Sequence, residues 1–417
     1  MASIKEHFQI PAKMKAWSLG LMAIGLVALL VGLFTKGFSA DQHEKDVFWA
    51  TLMYNCIFFT LICNAAMFFV CITTMAMGGW QIAFRRVSEA ISTLVPIFGL
   101  ITFAVLMYVI FGMGEKTHIY HWLDVHHAEA DPILKGKLGF LNSKFYLIWT
   151  VLTIGLWSFL GWRMRKLGNE ADEAALQGLE MKKKYILKST VTAALFIVWF
   201  ALTVGSTIPW LWLMSIDAHW YSTMYSWYTF ASTFVSGISL IALFVIYLKN
   251  KGYLELVGEE HLHDLGKFMF AFSIFWTYLW FSQYMLIWYS NQPEETIYFI
   301  NRIGTAAKPA PFKPIFFINL IINFVCPLLI LMKRASKRNY TLMTFMAVLI
   351  IFGHWLDFYQ MVMGSVSKDK ITLGWLDFGL MAFFVGMIIF FTGRALASKP
   401  LVQKYHPFLK ESIIHHT

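Results

Sequence analysis

The sequence predicts an all-α integral membrane protein of about ten transmembrane helices, and three observations carry that prediction. Of its 417 residues, 58% are hydrophobic and 18% aromatic. Only 14% are charged, against about a quarter in soluble domains. Ten apolar runs approach or exceed the ~20 residues that a helix needs to cross the hydrocarbon core. The Lys and Arg residues gather in alternate connections between those runs, as the positive-inside rule requires of a multi-pass chain.

The runs fall at 17–35, 48–77, 90–113, 145–162, 190–214, 227–248, 268–289, 312–332, 340–361 and 374–394. In lipid only a helix or a closed barrel satisfies every backbone polar group, and runs of this length read as helices. No small-residue cleavage site follows the first run, so it reads as a span and not as a removed leader. With a cytoplasmic N-terminus, 23 of the 34 Lys and Arg residues, from Lys5 to Lys410, lie inside and 11 outside. Both termini are then cytoplasmic, which requires an even number of spans. No polar stretch is long enough for a soluble domain, and residues 1–417 read as a single polytopic membrane domain.

A faint internal echo links PWLWLMSID after the fifth span with HWLDFYQMV in the ninth. It predicts a parallel repeat of two four-helix bundles over 48–214 and 227–361, with flanking spans 17–35 and 374–394.

Several function classes drop out. The net charge of +10 is spent on short inter-span connections, which argues against nucleic acid as a partner. Cys56, Cys63, Cys71 and Cys326 all lie in apolar runs without CxxC or CxxCH spacing, which disfavours c-type haem and cysteine-ligated clusters. Phosphate-binding loops, nucleophile elbows and dinucleotide fingerprints are missing from the sequence.

Among the connections, 163–188 carries Glu170, Asp172 and Glu173 before Lys182, Lys183 and Lys184, the polarity that suits a short surface helix. Arg85, Arg86 and Glu89 stand at the inner mouth of the third span, where they read as a pathway entrance or, more simply, as positive-inside anchors. The outer segment 114–144 holds His118, His121, His126 and His127 with Asp124, Glu129 and Asp131. A HxxH spacing can bind metal, but no second tight spacing accompanies it, and a partner-contact loop is the reading we prefer.

Ionisable groups at membrane depth cost about 2.5–3.5 kcal/mol on insertion scales and need an explanation. In the ninth span, His354, Asp357 and Gln360 recur every three residues and share a face. An imidazole and a carboxylate there could relay protons or hydrogen-bond a quinone carbonyl; a bond that holds two helices together is the other reading. Asp217 and His219, in the aromatic outer turn 215–225, could exchange protons with water, or simply be solvated beside a cap from Ser222 or Thr223. The seventh span is polar at its centre, with Thr277, Tyr278, Ser282, Gln283 and Tyr284, and Pro293 stops it. Glu294 and Glu295 then either collect protons at a mouth or open the next helix, the second being the plainer reading.

The stretches FSQYMLIWYSNQPEET (281–296) and SIDAHWYSTMY (215–225), with the ten-span layout, resemble the NrfD-like, polysulfide-reductase-like membrane subunits of bacterial alternative complex III, and among them the second, or ActF, type. The likeness covers most of the chain. It implies two four-helix bundles with flanking helices, in the bacterial inner (cytoplasmic) membrane. It also implies a cofactor-free subunit, not catalytic alone, of a complex that oxidises quinol and passes electrons to cytochrome c or a terminal oxidase. The implied partners are an NrfD-like sister subunit and the iron–sulfur and multihaem cytochrome c subunits that carry the haem and iron–sulfur clusters. Menaquinone or its quinol is the implied ligand, and a proton-conducting path the alternative role. The matched positions are Asp217, His219, Gln283, Glu294 and Glu295, whereas His354 and Asp357 come from the span reading alone.

Two rival functions remain open. A secondary transporter predicts broken spans in matching halves, yet Pro96 and Pro327 lie in the third and eighth spans, which do not correspond under a four-span repeat. In a purely structural subunit, every polar residue above would be interhelical glue.

Overall fold

The computed structural model describes residues 6–172 and 178–416; Lys5 and Glu173, both used in the charge reading, lie outside them. Ten long helices follow one another: α1 Ala12–Gly37, α2 Gln42–Met75, α3 Arg85–Met113, α4 Ser143–Glu170, α5 Leu179–Asp217, α6 Thr223–Asn250, α7 Glu259–Ser290, α8 Lys313–Leu331, α9 Tyr340–Val366 and α10 Trp375–Ala397. Among the described residues, all of these except α7 are long and apolar enough to cross a membrane, and no β-strand forms. The protein is therefore an all-α, multi-pass membrane protein. α7 has 32 residues, long enough to cross, but its polar central residues dilute its hydropathy.

Helix starts follow local chemistry. Asp41 caps α2 through the His43 N–H (3.0 Å), Asn142 caps α4 through Phe145 (2.8 Å), and Asn339 caps α9 through Thr341 and Leu342 (both 3.0 Å). α7 ends at Asn291 in the left-handed region (φ +49°), and Pro293 then opens the short helix Pro293–Ile303. Pro209 lies inside α5, where the turns widen to π geometry at Thr203–Thr207 and Pro209–Leu213, consistent with the missing N–H and the bulk of the ring.

Packing centres on α2 and α6, which are buried along 94% and 89% of their apolar windows, whereas α1 is buried along 17%. α2 touches α3, α5, α6, α9 and α10; α4 closes against α3 and α5; α7 and α8 close against α6 and α9. α1 lies against α10 through small residues spaced by seven: Ser18 faces Gly386, Gly25 faces Gly379, and Gly32 makes room for Leu376. A Cβ on Gly386 would stand 2.8 Å from the Ser18 carbonyl, so glycine is what lets these backbones approach.

The connections sort onto two faces. On one, Leu401 N–H reaches Glu6 O (2.9 Å), Tyr405 N–H reaches Ala171 O (3.2 Å), Gly79 N–H reaches Glu411 (2.9 Å), and His415 meets Asp264 (2.7 Å). The C-terminal tail thus straps the N-terminus, the α2–α3 and α4–α5 connections, and the start of α7. On the opposite face His118 N–H meets Asp46 (3.2 Å), Lys137 meets Ala218 O (2.5 Å), and Trp220 stacks on Tyr298 (4.1 Å between centroids). α7 begins on the tail face and ends on the other, so it joins the two faces as its neighbours do.

Among the described residues, the surface helix expected over 163–188 does not form as a separate element. α4 runs on to Glu170 and α5 begins at Leu179, so that Lys182, Lys183 and Lys184 lie in the first turns of a spanning helix. Both helices continue past the apolar windows because their backbone bonds are internal and need no lipid to form.

Candidate functional site

The polar residues of α9 meet side chains from α6 and α7 at the middle of the bundle. Asp357 is 2% exposed, and the Tyr228 hydroxyl donates to its Oδ1 while Trp276 Nε1 donates to Oδ2 at 3.2 Å. His354, fully buried one turn away, shares a 2.9 Å hydrogen bond between its Nδ1 and the Ser232 hydroxyl. Trp276 stands edge-on to the imidazole, with centroids 5.3 Å apart, while His354 Nε2 has no hydrogen-bond partner among the described residues. Tyr228 and Ser232 are four apart on α6 and therefore share a face, which is how one helix serves both α9 groups.

Toward the outer face, Asp357 borders a small cavity whose other polar walls are Tyr228, Gln283, Tyr298, Arg302 and Gln360. It has room for about one water molecule. Gln360 Oε1 accepts from Asn319 at 2.8 Å, and Gln283 Nε2 is buried without a partner among the described residues. Arg302, 1% exposed, lies 3.4 Å over the Tyr298 ring and donates to the Tyr298 carbonyl (2.9 Å), the Met361 carbonyl (2.9 Å) and the Ser365 hydroxyl (3.0 Å). Ser365 in turn donates to Asp217 at the outer turn. Polar groups thus follow one another from His354 to Asp357 and, across the cavity, from Arg302 through Ser365 to Asp217.

Of the sequence-predicted residues, His354, Asp357, Gln283 and Asp217 come together along this run. Asp217 and His219 do not pair with each other among the described residues, since Asp217 accepts from Ser365. His219 Nε2 instead meets Asp131 at 2.6 Å on the surface, and that hydrogen bond holds the Asp131 carboxyl below the usual carboxylate range. Ser222 occupies the N-cap of α6 without a side-chain cap bond. Glu294 and Glu295 sit in the first turn of Pro293–Ile303, where Ser290 donates to Glu295 (3.0 Å), away from the cavity walls. His118 and His121 have ring centroids 6.0 Å apart, and burial, with Lys368 and His118 nearby, lowers the His121 pKa.

Tyr228, Ser232, Trp276, Arg302 and Ser365 were missed from sequence. Only Arg302 had a readable signal, since it follows Tyr298 by four residues on the buried side of an amphipathic helix.

A second buried cluster lies at the tail face. Glu89 accepts from Arg85 Nε (2.8 Å), Arg86 Nη1 (2.7 Å) and Gln403 Nε2 (3.2 Å), and Arg86 also pairs with Asp172. The arginines read as surface anchors are thus buried and ion-paired. No model of a known protein family matches the chain, and no curated protein compared with it matches either.

Proposed function

We propose that this protein is a ten-crossing, cofactor-free subunit of a bacterial respiratory quinol oxidoreductase complex, with α7 as a true span and both termini cytoplasmic. Its bundles are α2–α5 and α6–α9, and the second carries a proton path between mid-membrane and the outer face. The respiratory assignment rests on the resemblance at 215–225 and 281–296 together with the charge asymmetry. One observation carries the proton role: a buried carboxylate held, among the described residues, by neutral donors, facing Arg302 across a water-sized cavity, with Arg302 bonded on to Ser365 and Ser365 to Asp217. Such a group can take and release a proton without breaking an ion pair. A quinone headgroup is far larger than one water, which favours the proton reading over a quinone site here.

The test uses the assembled complex. Asp357→Asn and His354→Phe should each lower quinol oxidation, or the proton movement coupled to it, by about tenfold or more. Unchanged values of both quantities reject the path. The purified subunit should also co-migrate with haem and iron–sulfur proteins, and a lone homo-oligomer would favour a transporter.

A further inference from the structure

A cavity of about 740 Å³, counting its open mouth, lies on the tail-face side between the start of α3, the end of α4 and the segment after α10. Trp162, Arg165, Lys166 and Asn169 project into it from α4 at spacings that keep them on one face. Lys399 closes the cavity from the α10 side, and Glu89 and Arg86 form its floor.

The charges do not cancel. Glu89 is already satisfied by Arg85, Arg86 and Gln403, and Asp172 pairs with Arg86 and attracts Lys399, which still leaves the cations in excess. Arg165, Lys166 and Lys399 form no ion pair among the described residues. Arg165 uses Nη1 on the Ser92 carbonyl (3.1 Å) and hydroxyl (3.0 Å), which fixes the guanidinium; its remaining donors have no protein partner among the described residues. Lys166 sits 5.3 Å from the centroid of Trp162, an aromatic ring that is 51% exposed on the outside of the bundle, next to the similarly exposed Phe159. A fixed guanidinium flanked by two lysines suits a phosphate anion. The adjoining exposed aromatics at the end of an apolar span suit the lipid chains that such a phosphate would carry.

We infer that this cavity binds the phosphate headgroup of an anionic phospholipid at the membrane surface. The inference is independent of the respiratory and proton readings. It is tested by native mass spectrometry of the full chain in detergent, with dioleoyl phosphatidylglycerol, dioleoyl phosphatidylcholine or inorganic phosphate added at equal concentration. Wild-type protein should retain phosphatidylglycerol over phosphatidylcholine by about tenfold, and the exposed-site double variant Lys166→Gln/Lys399→Gln should lose that preference. Ala395→Trp keeps every charge and fills the cavity, and should lose it as well. Retention of the preference by both variants overturns the site. So does inorganic phosphate binding with no phosphatidylglycerol preference in the wild type.

Discussion

Two of the buried carboxylates, Glu89 and Asp357, sit among opposite kinds of partner. At the tail face, Glu89 lies between two arginines and an amide, and each of its oxygens meets a cation. At mid-membrane, Asp357 is as deeply buried, yet among the described residues its donors are neutral: a phenol, an indole and the Ser232 hydroxyl. A paired buried charge is expensive to unpair and serves as structure. A carboxylate supported by neutral donors is at liberty to change protonation, and that is the difference on which a proton path depends.

The largest effect that would sharpen this contrast is on stability. Glu89→Ala leaves Arg85 without an anionic partner inside the fold and Arg86 with only Asp172, and should cost about 3–5 kcal/mol in thermal unfolding of the detergent-purified protein. Asp357→Asn should cost far less, about 1–2 kcal/mol, because the asparagine oxygen still accepts while its amide nitrogen faces a donor. Equal losses for the two variants would erase the distinction and leave Asp357 as structural glue.

The smallest effect concerns the tail that covers the ion-paired cluster. His406 stacks edge-on with Tyr185 (5.5 Å between centroids) and accepts from the Phe408 N–H through Nδ1 at 3.2 Å. Burial, reinforced by neighbouring Arg85, pushes its imidazole well below the ordinary range. An undocked imidazole titrates near about 6.5. Docking is therefore at full strength above that pH and weakens as pH falls through it, since the undocked tail binds the proton that the docked one refuses. Hydrogen-exchange protection of residues 400–414 should fall between pH 7.5 and 5, and His406→Gln should flatten the response. A wild-type tail whose protection is constant over that range contradicts the assignment.

Much of this was legible in one dimension. Apolar run length identified the ten long helices with boundaries that moved mainly outward, because a spanning helix continues beyond the lipid wherever its own backbone bonds and caps such as Asn142 and Asn339 carry it. The shared face of His354 and Asp357 follows from a spacing of three. Their partners could not be read, since Tyr228, Ser232 and Trp276 lie 129, 122 and 81 positions away and are ordinary aromatic-helix residues in sequence.

What the sequence determined by itself is the solvent of each segment and the face each helix shows, because hydropathy and helical period are local quantities. Glu89 meets Arg85 and Arg86 at spacings of four and three on one helix, a pairing that the sequence already contains. That this cluster is buried beneath the tail, and that Asp357 is met by Tyr228 and Trp276 from two other helices, was decided only in three dimensions, because those contacts join residues far apart in the chain.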